Sequence, residues 1–136
     1  MDRTFVIVKP DGVERGLVGE IVGRLERKLL KIVAAELRLI DRASVERHYA
    51  EHVGKPFYEP TVTFMTRSPA LLMIVEGPAN TWSIVRTMVG ATDPAMAAPG
   101  TIRGDLGLVT SENLIHASDS LESAEREIGI FFPHLV

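Results

Sequence analysis

The chain has 136 residues, of which 46 % are hydrophobic and 24 % charged, with a net charge of −3 and no cysteine. That balance suits one soluble unit spanning residues 1–136, and it excludes disulfides, thiolate catalysis and cysteine zinc sites. The weak negative charge argues against broad nucleic-acid binding, yet a small anionic ligand needs only two or three placed cations.

Thr4 to Val8 is a β-branched and aromatic run that stops at Lys9-Pro10-Asp11-Gly12, which predicts a buried strand ending in a turn. Val18, Ile21, Val22, Leu25 and Leu29 recur with the period of a helix that buries one face. Ile32 to Ile40 follows as a strand, with Glu36 and Arg38 alternating against Leu37 and Leu39. Ser44 is the expected N-cap of a short helix running through His52, and Pro60 opens another at its first turn. Ala70 to Val75 is a continuous apolar run and reads as a central strand. Pro78 starts a helix that turns Trp82, Val85 and Val89 inward and ends at Gly90. Ala91 to Asp105 reads as a long Gly/Pro/Thr loop, and a strand near Asn113 to His116 leads into a helix facing Leu121, Ala124, Ile128 and Phe131 inward. No run approaches the roughly 20 apolar residues of a membrane span. The first twelve residues turn charged too early for a signal peptide, so a cytoplasmic protein is expected. Helices alternating with four short strands predict an α+β sandwich of the ferredoxin-like βαββαβ type: a four-stranded antiparallel sheet with helices packed on it.

Chemistry concentrates at Asn113 to Ser120. His116 stands at a strand end before a helix capped by Asp119 or Ser120, where free N–H groups and the helix dipole attract anions. A neutral imidazole is a competent nucleophile when its other nitrogen is held as a donor. On this segment alone, an incidental histidine beside an ordinary cap is the commoner arrangement. In the 91–105 loop, Gly100 and Gly104 permit close backbone approach, and Arg103 offers a fork suited to phosphate oxygens. Lys9 follows a buried strand, and Arg86 sits at the edge of a buried helical face; both types are more often plain solvated or snorkelling cations. Phe57 lies in a loop, either as a capping hydrophobe or as a stacking platform for a base. His48 and His52 are four apart on one face, but no third ligand stands beside them in sequence, which disfavours a metal site there. No complete dinucleotide fingerprint, P-loop or Gly-x-Ser-x-Gly elbow is present.

Four blocks together resemble the nucleoside diphosphate kinase family. They are Lys9 to Gly12; Tyr49, His52 and Lys55 to Phe57; Ala91 to Asp105; and Asn113 to Ser120. Their order and separation fit the family over nearly the whole chain. The resemblance implies a ping-pong γ-phosphoryl transfer from a nucleoside triphosphate, mainly ATP, to nucleoside diphosphates, through a phosphohistidine on His116. It further implies that Glu127 and Ser118 orient and assist His116, Glu127 through the non-reacting ring nitrogen, and that Lys9, Tyr49, Arg86, Thr92 and Arg103 hold phosphates. Asn113 and Lys9 are implied to contact the sugar hydroxyls, and Phe57 to stack on the base. Mg²⁺ is implied as the cofactor, held mainly by nucleotide phosphates without a protein metal site. The family also implies a homo-oligomer, tetramer or hexamer; because the chain stops soon after Phe131-Phe132-Pro133, a hexamer is favoured, and charge and hydropathy leave no nucleic-acid or membrane partner expected.

Three positions depart from the family pattern. Ala117 replaces a glycine and is tolerable only if the backbone there avoids positive φ. Thr110-Ser111-Glu112 replaces an apolar residue, glycine and arginine, and Ser68-Pro69 replaces Gly-Pro at a place expected to be remote from chemistry. A catalytically silent nucleotide-binding module and a ferredoxin-like domain for another small ligand are the competing readings. The first is disfavoured by the joint presence of His116, Lys9 and Arg103, the second by the otherwise unexplained Pro99 to Asp105 segment.

Overall fold

The computed structural model describes residues 1–136. Four strands, β1 (Asp2–Val8), β2 (Lys31–Arg38), β3 (Ala70–Gly77) and β4 (Ile115–Ala117), form one sheet in the order β2-β3-β1-β4, with every pair antiparallel. This is the ferredoxin-like order expected from the sequence. The helices are α1 (Pro10–Glu14), α2 (Val18–Arg27), α3 (Arg42–His48), α4 (Tyr58–Thr66), α5 (Thr81–Val89), α6 (Ile102–Leu106) and α7 (Leu121–Phe131). Both faces of the sheet are covered. Val6 and Val8 pack with Ile21, Leu25, Val85 and Val89 from α2 and α5, while Phe5 and Ile7 pack with Val45, Val62, Met65 and Phe131 from α3, α4 and α7. Burial on both sides explains why β1 and β3 read as continuous apolar runs rather than alternating ones.

Several boundaries differ from the sequence reading, each for a local reason. The Lys9–Gly12 turn is the first turn of α1, with Pro10 pre-set at its start. Helix α2 ends before Leu29, which is 92 % exposed with φ of 68°. The Leu30 N–H donates to the Leu25 carbonyl and the Leu29 N–H to that of Glu26, a Schellman ending in which buried Leu30 and Leu25 meet. Asp41, not Ser44, caps α3: its carboxylate accepts from the Ser44 N–H at 2.9 Å. His52 falls in a separate 3₁₀ turn, Ala50–His52, so it does not share a helical face with His48. Helix α4 begins at Tyr58, ahead of Pro60. Asn80 takes φ of 63° and delays α5 to Thr81, leaving Trp82 only half-buried. In α7 Glu127 is buried, whereas Leu121 is exposed.

The 91–105 segment is not a plain loop. Asp93 caps a 3₁₀ turn, Pro94–Met96, and Thr101 caps α6 by accepting from the Gly104 N–H at 3.0 Å. Asp105 ties it down through the Gly100 N–H (2.8 Å) and Arg24 (2.9 Å). A side chain at Gly104 would run into the Ala98 carbonyl, which is why glycine stands there. At the other end of the sheet, β2 is an edge strand bulged between Ile32 and Ala34, and both Leu37 and Leu39 are 61 % exposed. The expected alternation therefore does not turn these leucines into the core.

Candidate active site

The site gathers at β4 and the turn before it, where the neighbouring central strand β1 ends. Ile7 pairs with His116 and Val8 with Ile115, so Lys9, just past β1, lies beside the segment that enters β4. Its N–H donates to the Leu114 carbonyl at 2.8 Å, and its ammonium donates to Asn113 Oδ1 at 2.9 Å. The Asn113 amide in turn donates to the Thr92 carbonyl at 2.9 Å, which fastens the 91–105 segment to the strand end.

Between Asn113 and Ile115 the chain makes a tight reversal. Leu114 is fully buried with φ of 75°, and the Ile115 N–H donates to the Asn113 carbonyl at 2.9 Å. This is a γ-turn of the rare positive-φ hand, strained for a residue with a side chain. Two charged groups hold it. Asp11 accepts from the Leu114 N–H at 3.1 Å. Arg103 donates from Nε to the Asn113 carbonyl (3.2 Å), from Nη2 to that of Ile115 (2.7 Å), and from Nη1 to that of Gly90 (3.3 Å). Arg103 is only 4 % exposed. Burial, together with the charge of Arg86, brings its guanidinium down to about 10. Burial also pushes the Asp11 carboxyl up, against the Leu114 hydrogen bond and the Lys9 charge.

His116 is oriented from α7. Its Nε2 lies 2.8 Å from Glu127 Oε1, and the Ser118 hydroxyl donates to the same oxygen at 2.7 Å. Burial pushes the Glu127 carboxyl up, but the hydrogen bond and charge of His116, then His48 and Ser118, outweigh it and leave it below the ordinary range. Glu127 is therefore ionised and accepts, which assigns the ring proton to Nε2 and the lone pair to Nδ1. Glu127 reaches this place because Ser120 caps α7, accepting from the Ser123 N–H at 3.0 Å, and sets the helix phase. Ala117 lies in extended backbone within β4, outside the positive-φ residues, so its methyl is accommodated. Its carbonyl accepts from Arg86 at 3.1 Å.

His116, Arg86, Tyr49, His48, His52 and Glu127 line one recess of about 210 Å³. Burial and then Glu127 raise the Tyr49 phenol, which stays protonated. A larger cleft of about 790 Å³ is lined by Lys9, Phe57, Phe64, Thr92, Thr110 and Glu112, among others. Phe57 is 49 % exposed on its wall. Glu112 pairs with Arg67 at 3.1 Å, and Arg67 pairs with Glu14 at 2.7 Å, to which the Ser68 hydroxyl also donates. Ser68 thus belongs to the network on the cleft rim, contrary to its expected remoteness.

The structure therefore brings His116, Glu127, Ser118, Arg86 and Tyr49 together, and links Lys9, Asn113, Thr92 and Arg103 by hydrogen bonds, with Phe57 apart on the cleft wall. Sequence reasoning did not single out Asp11, whose signal was an acidic residue in a turn directly after a buried strand. It also missed the placement of His48, whose ring meets that of His116 edge-to-face at 4.7 Å.

The profile of the family described as nucleoside diphosphate kinase matches residues 2–135. A nucleoside diphosphate kinase of Archaeoglobus fulgidus is 61 % identical over 132 residues, covering 97 % of this chain and 87 % of that one. Among solved structures, a nucleoside diphosphate kinase family protein from Babesia bovis superposes with a TM-score of 0.94 at 47 % identity, covering 98 % of this chain and 90 % of the other. A halophilic nucleoside diphosphate kinase from Halobacterium salinarum, in complex with CDP, superposes with a TM-score of 0.93 at 52 % identity, covering 96 % and 87 %. With this sheet order, this histidine–glutamate pair and these matches across almost its full length, the chain belongs to the nucleoside diphosphate kinase family of phosphotransferases.

Proposed function

We propose that the protein moves a γ-phosphoryl group from a nucleoside triphosphate, mainly ATP, to nucleoside diphosphates by a ping-pong route through His116. The observation that carries this reading is the 2.8 Å contact from Glu127 to His116 Nε2, which leaves the Nδ1 lone pair in a recess lined by Arg86 and Tyr49. Nδ1 attacks the γ-phosphorus, the bond from phosphorus to the bridging β–γ oxygen breaks, and the diphosphate leaves with that electron pair. The Nε2 proton stays on the ring throughout, so the phosphorylated ring is an imidazolium whose positive charge the Glu127 carboxylate, 2.8 Å from Nε2, balances. A second diphosphate reverses the step.

The loose transition state of phosphoryl transfer asks mainly for position and positive charge. Lys9, Arg86 and Arg103 supply the charge, Tyr49 and Thr92 supply donors, and Ser118 steadies Glu127. Arg103 commits three N–H groups to backbone carbonyls; of its five donors, two remain for phosphate. Lys9 and Asn113 contact the sugar hydroxyls, and Phe57 stacks on the base, which asks only for a π-face and so tolerates many bases. CDP binding by the Halobacterium salinarum relative fits that tolerance.

Mg²⁺ favours oxygen donors and keeps its waters and the substrate's phosphates rather than a full protein cage. The recess fits an ion that arrives on the nucleotide: Glu51 and Asp119 line it and would offer carboxylate oxygens to help hold it. When bound, Mg²⁺ would supply neutralisation of phosphate charge. A cytoplasmic, homo-oligomeric protein, hexameric in preference to tetrameric, completes the proposal; what supports its self-association is the exposed apolar pair Leu37, in edge strand β2, and Leu39, just past its end. No helix is long and apolar enough to cross a membrane.

The test is to mix the protein with Mg²⁺ and γ-labelled ATP. Acid-labile label forms on the protein and is discharged by several different diphosphates; ATP binding without label would overturn the reading. A pH dependence follows from Lys9, which burial and Arg103 bring down to about 8 against the opposing charge of Asp11. Its ammonium is lost above that value, so kcat/KM for nucleotide falls above pH 8, and Lys9→Arg, charged throughout, removes that limb. Between about 8 and the ordinary lysine value of 10.5 the unfolded chain holds this proton and the folded one does not, so the burial penalty of Lys9 is relieved and stability rises with pH. A kcat/KM profile that stays flat to pH 10 would contradict the role of Lys9.

A further inference from the structure

We propose that His48, His116 and Glu127 form a transition-metal site, and that a zinc-class cation bound there shuts off phosphoryl transfer. The inhibitory half rests on the nucleophilic role of His116 proposed above, whereas the binding half does not. One ligand atom from each of the three residues lies within 4.8 Å of the other two. A tetrahedral Zn²⁺ wants its nitrogen and oxygen donors about 3.3 Å apart, so side-chain movements of about 1.5 Å or less complete the set.

His48 is the independent observation. Its side chain is 3 % exposed, Nδ1 has no hydrogen-bond partner, and that atom lies 4.0 Å from Glu127 Oε2. A buried ring nitrogen left unpaired is uncommon and asks for an explanation. Glu127 uses Oε1 for both Ser118 and His116, so Oε2 is the oxygen turned towards His48. The ring of His48 is wedged between Tyr49, at 4.5 Å, and Phe131, at 5.5 Å. Ser118 fixes the carboxylate from behind, as a second shell fixes a metal ligand.

Two imidazoles and one carboxylate are the donor set of zinc sites that keep a fourth position open. Imidazole suits zinc, copper or nickel, whereas Mg²⁺ wants oxygen, so the nucleotide's own ion does not compete for these nitrogens. The consequence for His116 follows from its single ring proton. A cation on Nε2 displaces the hydrogen bond to Glu127 and sends the proton to Nδ1, removing the attacking lone pair. A cation on Nδ1 occupies that lone pair directly. Either way the ring can no longer accept phosphorus.

The experiment uses the full chain with Co²⁺, whose visible absorption reports tetrahedral nitrogen–oxygen coordination, and with Zn²⁺ as competitor. One Co²⁺ per chain gives that band, Zn²⁺ displaces it, and His48→Gln weakens binding at least about 10-fold. Zn²⁺ added against excess Mg-ATP stops phosphoryl transfer in the wild type, a zinc-selective chelator restores it, and whatever transfer His48→Gln shows is insensitive to Zn²⁺. Should His48→Gln fail to fold, nitrogen NMR of the wild-type rings decides: Zn²⁺ shifts His48 and His116, not His52 or His134. No cobalt band, equal affinity in His48→Gln, or shifts confined to His52 and His134 would remove the site. Metal bound at His48 and His116 with transfer unimpaired would remove the inhibitory half. Absence of phosphohistidine in metal-free protein would instead count against the kinase mechanism and leave the metal site standing.

Discussion

Replacing His116 by alanine lowers phosphoryl transfer by at least about 10⁴-fold while nucleotide binding persists. The methyl group has no lone pair to accept phosphorus. The cations proposed to hold the phosphates, Lys9, Arg86 and Arg103, are anchored on other atoms: Lys9 on Asn113, Arg86 on the Ala117 carbonyl, and Arg103 on three further carbonyls. Their placement survives the loss of the imidazole. The measurement pairs a transfer assay with calorimetric titration of a nucleoside diphosphate, and full activity in His116→Ala would refute the mechanism. Glu127→Gln separates nucleophile from orientation. It keeps the imidazole and the shape of the side chain but no longer dictates which nitrogen carries the proton, and wrong-tautomer losses of this kind run to about 10⁴-fold. We expect a loss of about 10²–10⁴-fold in kcat with nucleotide affinity unchanged.

The second large effect falls on Arg103. Arg103→Ala removes three charge-assisted hydrogen bonds from the carbonyls of Asn113, Ile115 and Gly90, two of them on the strained turn at Leu114. Leaving buried carbonyls without donors costs about 3–5 kcal/mol here, and the loss of one preorganised cation costs about 10²–10³-fold in kcat/KM. Both readouts are expected to move: the denaturation midpoint falls and kcat/KM drops. Arg103→Lys restores charge but not the fork, because one ammonium cannot span the Asn113 and Ile115 carbonyls with the geometry of a guanidinium. Its stability therefore stays close to that of Arg103→Ala while its rate recovers in part. An Arg103→Ala protein with unchanged midpoint and kcat/KM would mean that neither role is real.

By itself the sequence determined the elements whose burial leaves a pattern. β1 and β3 were legible because a strand covered on both faces must be apolar at every position, as Phe5 to Val8 and Leu72 to Val75 are. The period of Val18, Ile21, Val22 and Leu25 marked α2, and the four motif blocks carried the family, because a ligand site restricts residue type at fixed separations. Tertiary structure decided what depends on partners far along the chain. Leu37, in edge strand β2, and Leu39, just past its end, stay exposed because nothing in the fold covers them there, which no local pattern announces. The 91–105 segment folds into a 3₁₀ turn and α6 because Asp105 meets Arg24, some eighty residues away in sequence. The γ-turn at Leu114 exists because Asp11 and Arg103 hold it from two other elements; an isolated Asn-Leu-Ile would relax. Glu127 meets His116 only because the phase of α7, set at Ser120, turns that one carboxylate inward, and the same packing places His48 against them both.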